Sequence, residues 1–128
     1  MRVKSLDHLV LTVADIQATE SFYERVLGMQ PIGYDNGRRA LHFGQLKLNL
    51  HEQGHEFEPK AARPIAGSAD LCFVLEGPLE EAISHLHTER VAIEHGPVVR
   101  RGALGPIRSV YFRDPDGNLI EVSEPLAD

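Results

Sequence analysis

Two short stretches that resemble each other decide the fold, "DHLVLTV" at residues 7–13 and "ADLCFVL" at residues 69–75. Both are rich in β-branched and aliphatic residues, which is typical of strands. Each is followed, after a link of one or two residues, by a helical pattern and then by three short strand patterns. Because an internal repeat sets the architecture before any single motif does, we predict a β-α-β-β-β order that occurs twice.

The helices are marked by their ends. Asp15 is a predicted N-cap for the helix in "IQATESFYERVLG", residues 16–28, and Gly28 suits its C-terminal stop. The second helix falls within "GPLEEAISHLHTERV", residues 77–91, where Pro78 occupies a favourable first-turn position. A ferredoxin-like domain is the rival interpretation, but that pattern needs a second helix before its final strand.

The remaining segments are predicted as short strands and one long loop. Short strands are expected at residues 30–34, 39–43, 46–51, 94–99, 109–113 and 119–123. Residues 52–68 are polar, with two prolines and two glycines, and a connection of that length is typical of a functional flap. We therefore predict an α+β chain that forms one domain over residues 1–128. Module one spans about 1–52, the flap about 53–68 and module two about 69–128.

Composition narrows the classes of function. The chain has 128 residues, 42% of them hydrophobic and 25% charged, with a formal charge of −6 that argues against nucleic acid or an anionic membrane as partner. Cys72 is the single cysteine, so an internal disulfide is excluded and a reducing compartment is favoured. The first residues lack a signal-peptide pattern, and no apolar run reaches the roughly 20 residues that span a bilayer. A cytoplasmic location is expected.

Polar residues interrupt the apolar strands at related positions. His8 lies in the first strand and Glu121 in the last, and the repeat matches them with Asp70 and Asn49; His51 lies two residues beyond Asn49 on the same face. Taken singly, each also fits an ordinary strand residue, and Asp70 could cap the preceding turn. Because an unpaired charge in a pleated core is costly, the joint pattern favours a metal or substrate site.

With these positions, the sequence resembles the vicinal oxygen chelate superfamily, which includes glyoxalase I, fosfomycin-resistance thiol transferases, extradiol dioxygenases and bleomycin-resistance proteins. The likeness is carried by "LDHLVLTVADIQATESFYERVLGM" and "YFRDPDGNLIEVSE" and covers essentially the whole chain. The segment between them is similar to a subgroup related to glyoxalase domain-containing protein five. The resemblance implies cupped mixed sheets that close around a divalent metal, and a homodimer.

The resemblance also implies ligands. His8 and Glu121 match metal-ligand positions, Asp70 falls where many members have a second histidine, and Asn49 falls where glyoxalase I has a glutamate. His51 could replace Asn49 only if the strand were shifted or bulged. A histidine with two carboxylates favours Mn²⁺, Fe²⁺, Ni²⁺ or Zn²⁺, and three protein ligands would leave positions open for substrate.

Further residues are candidates for handling substrate and protons. Glu121 is predicted to act as ligand and base, with His51 and Glu52 as other candidates for the base. "VVRRGALGPIRS" places Arg101 and Arg108, together with Arg100, around a glycine-rich loop, where a guanidinium could hold a carboxylate or phosphate. A solvated basic loop is the alternative. Asn49 is a further substrate-binding candidate, and the histidines at 85, 87 and 95 are interpreted as surface residues.

Three functions follow from this reasoning. The leading hypothesis is a metal-dependent, glyoxalase-like lyase or isomerase of a small carbonyl compound or its thiol conjugate. The second is a thiol transferase that opens an epoxide such as fosfomycin. The third is a metal-free protein that binds a drug or metabolite, as bleomycin-binding relatives do. Fold alone does not separate them.

Overall fold

A computed structural model describes residues 1–127. The chain divides into two compact units, Met1–Gly67 and Ser68–Asp128, here called the first and second units. Within residues 1–127, each unit has one helix and one four-stranded sheet. The predicted tandem βαβββ fold is confirmed.

The first unit has the strand order β1-β4-β3-β2, with β1 parallel to β4 and the other pairs antiparallel. Its elements are β1 (His8–Val13), α1 (Ile16–Leu27), β2 (Gln30–Tyr34), β3 (Arg38–Phe43) and β4 (Leu46–Glu52). The second unit repeats this topology as β5-β8-β7-β6, with β5 parallel to β8. Its elements are β5 (Asp70–Val74), α2 (Leu79–Thr88), β6 (His95–Arg101), β7 (Pro106–Arg113) and β8 (Leu119–Pro125).

The ends of the first helix follow the sequence. The Asp15 carboxylate accepts a hydrogen bond from the backbone N–H of Ala18 at 2.9 Å, and Gly28 ends α1 in the left-handed region at φ 67°. The second helix begins differently, because Pro78 is its N-cap rather than a first-turn residue and makes no side-chain cap. Glu80 and Glu81 in its first turn supply the negative charge that a helix N-terminus favours.

Each sheet has one face covered by its helix and one face turned away, which we call the open face. Strand alternation places Leu11 and Val13 on the helix side of the first unit, where they are 3% and 0% exposed. On the open face Val10 is 45% exposed. The core of each unit therefore lies between helix and sheet, and the side chains on the open faces are those that can contact a ligand.

A tight turn fixes the start of β8 and with it the position of Glu121. The buried Asp114 carboxylate accepts hydrogen bonds from the N–H groups of Asp116 and Asn118, each at 2.9 Å. The Asn118 side chain in turn accepts one from the N–H of Ala69 at 2.8 Å, just before β5. The "DPDGN" sequence thus ties the first and last strands of the second unit together.

Candidate functional site on the open faces

The two parallel ladders reproduce the relationships expected from the repeat. Asn49 pairs with Val10 in the first unit, and Glu121 pairs with Cys72 in the second. Asn49 and Glu121 therefore occupy equivalent positions. His8 and Asp70, the first residues of β1 and β5, are also equivalent.

A row of reactive side chains crosses the open face of the second unit. Cys72 pairs with Glu121, Glu121 with Tyr111 and Tyr111 with His95, so the row follows the strand order β5-β8-β7-β6. Neighbouring strands lie about 4.8 Å apart, which makes each residue an immediate neighbour of the next. The His95 and Tyr111 rings are in contact, with centroids 5.7 Å apart.

A β-bulge brings Arg100 to the same row. His95 pairs with Tyr111 but Val98 pairs with Ser109, so β6 contains one extra residue between them. One extra residue reverses the alternation of a strand. As a result, His95 and Arg100 lie on the same face although they are five residues apart. Arg100 donates a hydrogen bond from Nε to the Tyr111 hydroxyl at 3.1 Å, and its Nη2 lies 3.2 Å from His95 Nε2.

A cavity of about 620 Å³ opens on this face. Its polar lining comes from Cys72, Arg100, Arg101, Tyr111 and Glu121. The rest of the lining is mainly apolar side chains and the hairpin backbone: Val74, Gly102, Ala103, Leu104, Gly105, Pro106, Ile107, Pro125 and Leu126. A concave, mostly apolar surface with a few polar groups is the usual form of a small-molecule site.

Glu121 and Cys72 are the reactive groups at the β5–β8 end of the cavity. Oε2 of Glu121 is buried and has no hydrogen-bond partner among the residues of the described chain. The Cys72 sulfur lies 3.6 Å from the Ser123 hydroxyl, and burial is the main reason that the pKa of Cys72 is raised, with the Glu121 charge adding to it. The thiol therefore stays protonated, which argues against a thiolate nucleophile.

The open face of the first unit carries Asn49 and His51 in a different setting. Asn49 is 9% exposed, and its Oδ1 has no hydrogen-bond partner within residues 1–127. His51 is 6% exposed, and its ring packs in a T-shaped arrangement with Phe57 from the flap, with centroids 5.8 Å apart. Burial, followed by the charge of Arg38, lowers the pKa of His51, so its ring is held neutral. The Arg38 guanidinium lies 4.3 Å from the centre of the Phe57 ring.

His8 has a geometry that suits a metal ligand. Its Nδ1 lies 2.9 Å from the Asp7 carboxylate, and this hydrogen bond is the main reason that the pKa of Asp7 is lowered. Histidines that bind metals commonly use one ring nitrogen in this way and leave the other for the ion. Within residues 1–127, no three or more His, Cys, Asp or Glu side chains are gathered closely enough to hold a metal ion.

The predicted arginines divide between the two sides of the sheet. Arg100 and Arg101 lie at the end of β6 and Arg108 lies in β7, so they belong to strands rather than to a loop, and only residues 102–105 connect them. Arg101 lines the cavity. Arg108 lies on the helix side, where it donates to Glu80 at 2.6 Å and approaches Glu124 at 3.5 Å.

Sequence reasoning missed part of the site. The prediction that His95 lies at the surface is correct, since the residue is exposed, but neither His95 nor Tyr111 was given a role, and both contact Arg100. Regular alternation from His95 would have put Arg100 on the opposite face. The "GP" pair at 96–97 is the one local signal of an irregular strand.

Paired βαβββ units with polar groups on the open faces of their first and last strands define the glyoxalase-like class of proteins. Residues 5–122 match the Glyoxalase/Bleomycin resistance protein/Dioxygenase superfamily, and the chain belongs to that superfamily. The resemblance inferred from the sequence is thus confirmed. None of the helices within residues 1–127 is long and apolar enough to cross a membrane.

Three relatives are more than half identical to this chain. The virulence protein STM3117 of Salmonella typhimurium is 52% identical over 97% of this chain and 86% of its own length, and its crystal structure superposes with a TM-score of 0.97, covering 98% of this chain and 100% of that one. Glyoxalase domain-containing protein RDO1 of Mycosarcoma maydis is 52% identical over 96% of this chain and 69% of its own length. An integron cassette protein from the mobile metagenome of V. cholerae is 56% identical, with a TM-score of 0.96 and 98% coverage of both chains.

Proposed function

We propose that this protein is a glyoxalase-like lyase or isomerase that acts on a small carbonyl compound or its thiol conjugate. The observation that carries the proposal is the unpartnered, buried Oε2 of Glu121 beside a cavity of about 620 Å³. A buried carboxylate oxygen without a partner is unfavourable, so such an atom is expected to bind a cation, a proton or a ligand.

As the family resemblance implies, we propose His8, Asp70 and Glu121 as ligands of a divalent metal ion, whose binding would have to gather side chains that are not clustered within residues 1–127. The imidazole already uses Nδ1 for Asp7, which leaves Nε2 as the coordinating atom. Nitrogen and carboxylate donors suit Zn²⁺, Ni²⁺, Mn²⁺ or Fe²⁺. When bound, the ion would polarise the carbonyl oxygen of a substrate.

Side chains of the protein would then accept the proton that the substrate loses and keep water away from the site. Glu121 is one candidate base, because its free oxygen can take a proton. His51 is the other, because its lowered pKa keeps the ring neutral and able to accept a proton near neutral pH. The apolar wall formed by Leu104 and Ile107 would hold the body of the substrate.

The apolar lining favours one further candidate, a metal-free protein that binds a drug or metabolite. A cavity of this volume with mostly apolar walls can hold a small ligand without any reaction. A thiol transferase is the alternative reaction at the same groups.

Exposed apolar residues on both open faces, Val10 at 45% and Val74 at 65%, support a homodimer in which such surface is covered. The cytoplasmic location stays a prediction.

The test combines metal titration with turnover. We expect the purified protein to bind Ni²⁺, Mn²⁺ or Zn²⁺ in calorimetry and, once loaded, to isomerise a hemithioacetal. Glu121→Gln removes a ligand charge and should lower metal affinity by about 100-fold or more, whereas Glu76→Gln, at an exposed residue outside the cavity, should change neither. His8→Asn should resemble Glu121→Gln.

Each alternative has its own result. Thiol addition to fosfomycin without hemithioacetal turnover would replace the lyase by the transferase. Failure to bind any divalent ion, with small-molecule binding that survives Glu121→Gln and His8→Asn, would establish the metal-free binding protein instead.

A further inference from the structure

The guanidinium of Arg100, on the open face of the second unit, makes no ion pair with a carboxylate of residues 1–127. Arg39 pairs with Glu20, Arg108 with Glu80 and Arg113 with Glu94. Arg100 instead contacts the Tyr111 hydroxyl and the His95 ring nitrogen. Because arginine only donates hydrogen bonds, Nε2 of His95 is the acceptor in this contact.

These two contacts hold Arg100 in place without cancelling its charge. Its Nε is used by Tyr111 and its Nη2 by His95, so the guanidinium plane is oriented while its remaining N–H groups stay available. The bulge in β6 is required for this arrangement, because it puts His95 and Arg100 on one face. A fixed, charged fork of this kind recognises planar oxyanions.

The charge of the cavity lining points the same way. The lining has two cationic side chains, Arg100 and Arg101, and one carboxylate side chain, Glu121, so cationic groups exceed anionic groups by one. A net charge of this size is matched by a monoanion. A dianion would meet the Glu121 carboxylate at greater cost.

We propose that the cavity binds an organic carboxylate whose apolar body lies along Leu104 and Ile107, with its carboxylate group held by Arg100. The inference rests on the proposed function in taking this cavity as the substrate site. In the row across the sheet, Tyr111 separates Glu121 from His95, so the carboxylate group lies one or two strand spacings, about 5–10 Å, from the Glu121 end. The substrate class is therefore a short-chain acid with its reactive carbonyl a few atoms from the carboxylate.

The test compares hexanoate with its neutral isostere hexanamide by calorimetry on the full chain freed of metal. We expect hexanoate to bind about tenfold more tightly or better, since only the carboxylate gains from the guanidinium. Arg100→Gln should remove this preference. Arg90→Gln deletes the same charge at an exposed position outside the cavity and should leave the preference intact.

Tyr111→Phe tests the positioning of Arg100, because it keeps the ring and removes the hydroxyl that accepts from Nε. We expect it to reduce the preference for hexanoate by about two- to fivefold without abolishing it, and thermal melting should show that every variant is folded. A loss of thermal stability with unchanged preference would assign the hydroxyl a structural role only and overturn the positioning of Arg100 by Tyr111.

Equal binding of hexanoate and hexanamide, absence of binding by both, or a preference that survives Arg100→Gln would overturn the proposal. Tighter binding of butyl phosphate than of hexanoate would overturn the assignment to carboxylates. The hemithioacetal assay reads turnover of metal-loaded protein, so its failure alongside an intact hexanoate preference defeats only the lyase proposal. Turnover without that preference defeats only this inference.

Discussion

The two units share one backbone ladder but carry different side chains at its centre. The equivalent central rows, read across each sheet from its first strand, are Val10, Asn49, Ala40 and Ile32 in the first unit and Cys72, Glu121, Tyr111 and His95 in the second. Three members of the first row are apolar, whereas all four of the second can donate or accept a proton. Reactive groups are therefore concentrated in the second unit.

The first unit keeps its polar groups one pleat further along and covers them. His51 occupies the position that corresponds to Ser123 in the second unit, and Phe57 from the flap lies against it. In the second unit the row remains open to a cavity. The repeat therefore fixes the positions of the side chains, whereas the segment that carries Phe57 and the bulge in β6 determine which of them can contact a ligand.

The largest expected effect comes from removing the bulge that the first unit lacks. Gly96 has φ 102°, and an added Cβ would lie 2.5 Å from the Ser109 carbonyl oxygen. An alanine at this position would force the backbone of β6 or β7 to move, and a positive φ is unfavourable for any residue with a Cβ. Gly96→Ala should therefore lower the free energy of unfolding by about 2–4 kcal/mol, measured by urea denaturation. It should also abolish the preference for hexanoate.

Gly117→Ala is the matched control. Gly117 has φ 87° in the same unit, but its added Cβ would meet nothing within 4 Å. We expect a loss of only about 1–2 kcal/mol from the backbone conformation. Equal losses of stability in the two variants would show that the close approach to the Ser109 carbonyl adds nothing to the destabilisation by Gly96→Ala.

The fold was predictable because the repeat, the caps of α1 and the turns are local signals. Asp15, Gly28 and the "DPDGN" turn act through hydrogen bonds within a few residues, and alternation correctly separated Leu11 and Val13 from the open face. The strands β6 and β7 were predicted too short, since pairing across the hairpin extends them beyond what their own residues indicate.

The details of the site were less predictable, because they depend on register and on distant contacts. A single extra residue in β6 determines which face Arg100 takes, and no regular pattern announces it. The contact of Phe57 with His51 and Arg38 joins the flap to two strands, so it could not be inferred from either segment alone.

Removing the Phe57 ring, which lies against His51 in the first unit, should have the next largest effect. Phe57→Ala removes the ring that contacts Arg38 and His51 and should lower the free energy of unfolding by about 1–2 kcal/mol. It should also speed tryptic cleavage after Lys60, an exposed flap residue. Phe57→Leu keeps apolar bulk and should lie between wild type and alanine; unchanged cleavage in Phe57→Ala would mean that other contacts hold the flap.

The pH dependence of stability should show the effect of the buried His51 in the first unit. Its folded-state pKa is lowered from the ordinary value of 6.5, mainly by burial, so the folded protein favours the neutral ring. The stabilising contribution is complete above the unfolded value and is lost as the pH falls below 6.5 through the folded pKa. Urea denaturation across this range should therefore show a smaller loss for His51→Gln than for wild type. Parallel curves would contradict the burial of an uncharged ring.

The smallest effect is expected at Arg108, the predicted substrate-binding arginine that lies on the helix side. Its guanidinium is bound to Glu80 and lies near Glu124, and exposed pairs of this kind contribute little to stability. Arg108→Gln should therefore leave hexanoate binding unchanged and shift the melting temperature less than Gly96→Ala or Phe57→Ala. If Arg108→Gln weakened hexanoate binding as Arg100→Gln is expected to do, the ligand would have to contact the helix side of the sheet. The placement of the two arginines on opposite faces would then not determine which of them binds the carboxylate.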